Sequence, residues 1–267
     1  MIGATVFTGV SEMGKVIAIA NQKGGVGKTT TSINLAASLV KTRRRVLLVD
    51  MDPQGNATMG SGIDKSSIGV STYEVLIGIG QIGDAVVHTE GGFDLVPANI
   101  NLAGAEIELV NLDRRERRLH SALGDIAADY DFVLIDCPPA LSLLTINALV
   151  ASQKVMIPMQ CEYYALEGLS ALLDTIRQVR QAFNPKLEIE GLLRTMYDPR
   201  NNLSNEVSAQ LREHFGDKLY RTIIPRNVRL AEAPSFGKAV ISYDLQSKGA
   251  QAYLALAGEI LRREEAA

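Results

Sequence analysis

Cysteine is scarce in this chain: only Cys137 and Cys161 occur among 267 residues. Two thiols cannot build a disulfide framework, and they lack the C-x-x-C spacing of a zinc or iron–sulfur site, so a reducing, cytoplasmic setting is expected. No run approaches the roughly 20 apolar residues of a membrane span. The apolar stretch 1–10 has no Lys or Arg before it, which argues against an export signal. An excess of one charge is also missing, since 27 Lys and Arg face 30 Asp and Glu for a net charge of −3. That balance excludes coating of nucleic acid by net charge alone and leaves room for a local, salt-sensitive basic patch. Repeats, Pro-rich linkers and low-complexity segments are absent. What remains, 46% hydrophobic and 21% charged, is the composition of an ordinary globular protein.

From Lys15 onward, short β-branched runs alternate with helical stretches. Strands are predicted at 16–20, 46–50, 93–96, 132–136, 155–158, 189–196 and 220–224. Several are continuous apolar runs without polar alternation, the pattern of strands covered by helices on both faces. Helices are predicted at 30–40, 72–77, 116–128, 142–151, 167–183, 205–215 and 251–263. In the fifth, Leu169, Leu172, Leu173, Ile176, Val179 and Phe183 recur at three and four and form one buried stripe. The expectation is an α/β fold: a doubly wound, mostly parallel sheet in a single domain over 15–267, with ligand at the carboxyl ends of the strands. Residues 1–14 are expected to be a disordered tail, with Met13 a second candidate start. The Gly-rich stretch 55–69 is expected to be the mobile loop.

The sharpest signal is the strand 16–20 followed by Asn21-Gln22-Lys23-Gly24-Gly25-Val26-Gly27-Lys28-Thr29-Thr30 and an apolar-periodic helix. Glycines let successive N–H groups turn toward one point, and the helix N-terminus adds positive potential there. Lys28 supplies a cation for the β- and γ-phosphates, and Thr29 sits where a P-loop hydroxyl meets Mg²⁺. Two further strands end in carboxylates. One continues as Asp50-Met51-Asp52-Pro53-Gln54-Gly55-Asn56, the other as Asp136-Cys137-Pro138-Pro139. Carboxylates at strand ends beside a phosphate loop can hold water or Mg²⁺, and Asp136 fits a Walker B position. Asp50 serves equally well as a cap for the adjoining loop. Cys137 reads as a small buried side chain, with no neighbouring base to make it a nucleophile. His88, His120 and His214 share no ligand spacing.

The loop departs from G-x-x-x-x-G-K-[ST], because Gln22 replaces the first glycine and a second lysine, Lys23, enters. Residues 23–30 thereby resemble the deviant Walker A motif of the ParA/MinD family of dimeric ATPases. The resemblance extends through 94–98, 160–169 and 224–237, and these segments are similar to the chromosomal ParA (Soj-like) branch. It implies an ATP-dependent homodimer in which Lys23 reaches the partner's nucleotide, with Lys23, Gly24, Gly25, Val26, Gly27, Lys28, Thr29 and Thr30 around ATP. It also implies Thr29 and Asp136 at Mg²⁺, Asp52 positioning the attacking water, and Pro225 and Asn227 flanking the adenine. A chromosome-partitioning ATPase of this kind binds duplex DNA without sequence preference and is released when a ParB-type centromere-binding protein stimulates hydrolysis, which would associate it with the nucleoid.

The DNA step has partial support in the residues. Arg194, Arg200, Arg221, Arg226, Arg229 and Lys238 lie in the C-terminal third, several at expected loops or element ends, interleaved with acids. Arg200, Arg226 and Arg229 are the candidate phosphate contacts. The run Arg43-Arg44-Arg45 reads as a helix C-terminus complementing its dipole. A MinD-like membrane ATPase is the rival, but it needs a basic amphipathic C-terminal helix. The end here, acidic at its tip, reads as a packed closing helix without a membrane role. An iron–sulfur reductase on the same scaffold would need bridging cysteines. A nucleotide-switched DNA-binding module with negligible turnover is the third alternative, and the lack of an evident arginine finger points to slow hydrolysis alone.

Overall fold

The computed structural model describes residues 14–162 and 165–266. In chain order the elements are β1 (Lys15–Ile19), α1 (Lys28–Lys41), β2 (Val46–Asp50), α2 (Asn56–Gly60), α3 (Thr72–Ile77), α4 (Ile82–Ala85), β3 (Val87–His88), β4 (Asp94–Val96), α5 (Leu102–Leu109) and α6 (Arg118–Leu123). They continue with β5 (Phe132–Asp136), α7 (Leu143–Ala151), β6 (Lys154–Gln160), α8 (Ala165–Ala182), β7 (Glu188–Tyr197), α9 (Asn202–Phe215), β8 (Leu219–Pro225), α10 (Val228–Glu232), α11 (Val240–Tyr243) and α12 (Lys248–Glu265).

Among the described residues the strands form one sheet in the order β3-β4-β2-β5-β1-β6-β7-β8, in which only the β3–β4 pair is antiparallel. The three central strands are apolar because both faces are covered. On one face Ile17, Ile19, Leu48 and Leu134 pack with Leu35, Leu39, Leu256 and Ile260 of α1 and α12. On the other, Val16, Leu47, Val133 and Ile135 pack with Leu119, Leu144, Leu172 and Leu211 of α6, α7, α8 and α9. Burial of each such side chain contributes about 1.5–3 kcal/mol, which makes alternation along these strands unnecessary and unfavourable. The chain leaves β1 toward β2 and leaves β5 toward β6, so the crossover direction reverses around β1 and β5. A crevice opens at the carboxyl ends there.

The seven expected strands are all present, each displaced by at most two residues at either end. Four expectations need correction. The helix expected at 116–128 is broken: α6 ends before Gly124, and only short 3₁₀ turns flank it at Arg115–Arg117 and Ala127–Asp129. The stretch 55–69 is not a plain loop, since α2 occupies Asn56–Gly60 with Ala57 and Thr58 fully buried. Gly14, assigned to the tail, is buried and donates its N–H to the Ala127 carbonyl at 3.1 Å; the rest of that expected tail, 1–13, lies outside the described residues. Finally, Lys41 is the cation in the last turn of α1, while Arg43 takes a left-handed conformation in the turn that follows. Helix α5 went unassigned although Leu102, Ala105 and Leu109 form a buried face at helical spacing.

Edge strand β8 lies against β7 through a close approach at Gly191. A Cβ there would stand 2.7 Å from the Tyr220 ring and 2.9 Å from the Lys218 carbonyl oxygen, both in or beside β8. Gly191→Val is therefore expected to lift the edge strand and cost about 1–3 kcal/mol, as overpacking does. Urea unfolding monitored by circular dichroism checks this, and an unchanged midpoint would mean that β8 yields freely.

Candidate functional site: a phosphate loop with three converging carboxyls

The loop between β1 and α1 begins at Asn21, which is buried and acts as a brace. Its Nδ2 donates to the Pro158 carbonyl at 2.7 Å, and its Oδ1 accepts the Lys23 N–H at 3.0 Å. Gly25 and Gly27 take φ of +72° and +87°, so residues with side chains would be strained at both turns. A Cβ on Gly24 or Gly25 would meet nothing within 4 Å, which leaves the mouth of the loop open. Buried Val26 anchors the far side, where its carbonyl accepts the Thr195 hydroxyl at 2.8 Å. Gly27 then caps the fourteen-residue α1 with its own backbone. The result is a concave set of N–H groups at a helix N-terminus, a ready anion site.

Lys28 is buried and its Nζ donates to the Lys23 carbonyl at 3.2 Å, which folds the side chain back over the loop. Burial lowers its pKa, while the charges of Asp136 and Asp52 oppose that shift. Thr29 and Ser32, one helical turn apart, both face the carboxyl of Asp136: Thr29 Oγ1 donates to Oδ2 at 2.8 Å and Ser32 Oγ to Oδ1 at 2.8 Å. Complete burial pushes the Asp136 carboxyl up, and the charge of Asp50 adds to this, against the two hydroxyl bonds. Asp50 is itself fully buried; it accepts from Thr58 N and Thr58 Oγ1, each at 2.8 Å, and from Asp52 N at 3.1 Å. It therefore caps the loop, one of the two roles open to it in the sequence. Asp52 is nearly buried and accepts the Gln54 N–H on Oδ1 at 2.9 Å, with no described partner for Oδ2.

Two carboxyls, Asp136 and Asp52, thus act on one ammonium, and the surplus of negative charge and hard oxygen donors suits Mg²⁺ beside an anion held by the loop. The donor set fits a nucleotide with its magnesium: Thr29 and Asp136 would hold the ion, and the loop N–H groups with Lys28 would hold the phosphates.

Gly55 makes the carboxylate segment possible. Its φ is +57°, and a Cβ would stand 2.5 Å from the Ala98 carbonyl oxygen. Thr58 ties the same segment to the end of β4 by accepting the Ala98 N–H at 2.9 Å. A second close approach joins Gly62 to Gly237, where a Cβ on Gly237 would lie 2.6 Å from the Gly62 Cα.

The remaining candidates lie around this centre. Lys23 points outward and pairs with Glu162 at 2.6 Å, about 39% of its side chain remaining exposed. Thr30 continues α1, its carbonyl accepting from Asn34 at 2.7 Å. Pro225 ends β8 opposite Tyr197, one strand beyond the Thr195 that braces the loop. Asn227 keeps an unpaired, buried Oδ1 on the side of Gly249. Of the basic candidates, Arg226 is exposed without an ion pair among the described residues. Arg200 is clamped by Asp198 through bonds of 2.9 and 2.7 Å, which hold the Asp198 carboxyl down at about 2. Arg229 is bridged to Glu232 at 2.8 Å and Asp244 at 3.3 Å. Arg194, grouped with the reachable cations in the sequence, is buried in β7 and is no part of an exposed surface for a duplex backbone. Cys137 is buried, and burial pushes its thiol up.

Ser32, Asn21, Thr195 and Glu162 were not singled out in the sequence. Ser32 alone had a local signal, its spacing of three from Thr29.

This arrangement defines a P-loop nucleotide-binding protein. Comparison with known proteins agrees: a family described as an AAA domain matches residues 14–189. The sporulation initiation inhibitor protein Soj of Bacillus subtilis is 56% identical over 249 residues, covering 93% of this chain and 98% of that protein. The chromosome partitioning protein ParA of Myxococcus xanthus is 54% identical over 257 residues, covering 96% and 91%. Among solved structures, one described as cobyrinic acid a,c-diamide synthase from Mycobacterium smegmatis with bound ADP and magnesium superposes with a TM-score of 0.84 at 42% identity, covering 95% of this chain and 96% of that one. The chain belongs to the ParA/Soj family of chromosome-partitioning ATPases.

Ser32→Ala would leave the buried Asp136 carboxyl with Thr29 as its sole hydroxyl partner. Affinity for ADP with Mg²⁺ is expected to fall roughly tenfold, the worth of one charge-assisted hydrogen bond. Calorimetric titration with Mg²⁺ and with EDTA checks it, because the loss should disappear when the metal is chelated.

Proposed function

We propose that residues 15–267 act as one ATPase unit that partitions chromosomal or plasmid DNA, binding ATP with Mg²⁺ and hydrolysing it to ADP and phosphate. The observation that carries this reading is the convergence of Lys28, Thr29, Asp52 and Asp136 on one loop mouth, with a second lysine, Lys23, on its outer side. The loop N–H groups of Gly24, Gly25, Val26, Gly27 and Thr30 hold the phosphates, and Lys28 stabilises charge on the β- and γ-oxygens. Magnesium, when bound at Thr29 and Asp136, neutralises charge on the phosphates. Asp52 orients the attacking water through the carboxyl oxygen that Gln54 leaves free. Pro225 and Asn227 flank the adenine.

Lys23 reaches across a homodimer to the partner's nucleotide, and to do so it must leave Glu162. The exchange of one ion pair for another favours dimers only when a triphosphate is present to receive the lysine. Duplex DNA is bound without sequence preference at Arg226, Arg229 and Arg200. The last two are neutralised by Asp198, Glu232 and Asp244 in the free chain, so they must exchange carboxylate for phosphate. With no arginine among the described residues aimed into the site, basal hydrolysis is slow, and a ParB-type partner together with DNA stimulates it and releases the dimer. The place of action is the cytoplasm, on the nucleoid. The MinD-like alternative is disfavoured because α12 buries Tyr253, Leu256, Ala257 and Ile260 against the sheet and leaves no free apolar face for lipid. The amidation in the name of the Mycobacterium smegmatis structure is set aside, because the partitioning relatives are more similar, at 54–56% identity against 42%.

The test is binding of duplex DNA with ATP, ADP or no nucleotide at two salt concentrations, for wild type and Arg229→Glu. Binding that needs ATP, weakens with salt and is lost in the variant is expected; binding indifferent to nucleotide would overturn the reading. Lys23→Gln is expected to keep ATP affinity within about twofold, because the outer lysine adds little to the subunit's own phosphate contacts, while dimers disappear in sedimentation. Asp52→Ala is expected to hold an ATP-loaded, DNA-bound dimer with hydrolysis reduced by about two orders of magnitude, the scale of one positioned catalytic group. Normal turnover in that variant would remove the water-positioning role.

A further inference from the structure

A groove of about 1230 Å³ opens at the amino-terminal ends of β6, β7 and β8, at the end of the sheet opposite the phosphate loop. It runs along edge strand β8 between α9 and α12. Arg194 contributes to its lining, although only 2% of that residue is exposed. Its Nη1 donates to Ser208 Oγ at 2.9 Å and its Nη2 to the Tyr220 carbonyl at 2.8 Å, while Nε has no partner. No described carboxylate forms an ion pair with this guanidinium. Burial lowers its pKa and the nearby Arg212 adds to the shift, against the pull of Cys161, Tyr197 and Glu259. A buried charge with no ion-paired counter-charge is costly to keep. The buried hydroxyl of Tyr220, in the same lining, also lacks a partner.

The rim has the same sign. Arg212, Lys218, Arg221 and Arg262 are exposed on the groove, and none is in an ion pair with a described residue. Two of the acids in the lining are already committed. Glu190 is held by Lys154 at 3.3 Å, and Glu259 accepts the N–H groups of Arg221 and Thr222 at 2.8 Å each and the Arg263 guanidinium at 3.0 Å. Among the described lining residues, Asp217 is the acid left to oppose the rim.

We propose that this groove binds a small ligand carrying a chain of phosphates, with one phosphate on Arg194 Nε and the others on Arg212 and Arg221. Arginine suits this task because its planar fork matches phosphate oxygens. The sunken position of Arg194 favours a small ligand over a duplex, whose backbone would touch the exposed rim and leave the floor unpaired. The volume slightly exceeds the roughly 300–1,000 Å³ usual for small-molecule sites, as an open-ended groove should. The proposal does not depend on the DNA-partitioning reading, since it concerns the opposite end of the sheet.

The test uses the full chain preloaded with saturating ADP and Mg²⁺, so that the phosphate loop is filled, and titrates inorganic tripolyphosphate calorimetrically. One further equivalent is expected to bind without displacing a fluorescent ADP. The double variant Arg212→Ala/Arg221→Ala, altered only at exposed positions, is expected to bind tripolyphosphate at least roughly tenfold more weakly with ADP affinity unchanged. Arg194→Lys, which keeps the charge but lacks Nε, should weaken it as well. Absence of the extra equivalent, equal affinity in the double variant, or stoichiometric displacement of tripolyphosphate by a short DNA duplex would each overturn the proposal.

Discussion

The carboxyl of Asp136 is the constraint from which the rest of the site follows. It closes β5, a strand buried along its whole length, it has no exposure at all, and water cannot help it. Two hydroxyls of α1 take that place, and in doing so they fix the rotation of the helix about its axis and its height above the sheet. Once α1 is set, the direction in which Lys28 leaves it is set too. An unpaired carboxylate in this position would cost several kcal/mol, so the rigidity of the phosphate loop is a by-product of keeping one acid satisfied.

A neighbouring acid extends the same logic outward. Asp50 sits beside Asp136 in register on β2 and must also be satisfied. Thr58 does this twice over and passes the connection on to Ala98, so that the first turn of α2 and the end of β4 are drawn toward the crevice. On the other flank, Asn21 and Thr195 brace the loop from β6 and β7. β5, β6 and β7 therefore hold the loop and the helix behind it, β2 and β4 hold the neighbouring carboxylate segment, and the central sheet and the site share one hydrogen-bonded frame.

The parts of this frame that were legible in the sequence are those encoded locally. Continuous apolar runs revealed the central strands, since burial on both faces needs no long-range information. The loop 21–30 was legible because glycines, lysines and threonine must be contiguous to surround one anion. The braces were not, because Thr195 meets Val26 and Glu162 meets Lys23 only after residues 169 and 139 apart are brought together. Arg194 was misread for a related reason. A basic residue near the end of an apolar run resembles a surface cation, and only the irregular pairing of β7 with β8 gives it an interior place. The stretch 116–128 deceived in the opposite sense: its periodicity is helical, but Gly124 stops α6 and Asn147 of α7 takes the Leu119 N–H that a longer helix would have used.

The contact between Gly62 and Gly237 bears on how the chain can vary. One glycine lies in the turn that follows the acid-bearing segment, the other in the turn after the arginines beyond β8, and each takes a left-handed conformation against the other's backbone. Two loops far apart in the chain thus meet like the teeth of a zip, with no side chain to cushion them. Lengthening either turn, or placing any larger residue at the crossing, would push the other aside, so the two loops are free to diverge only together.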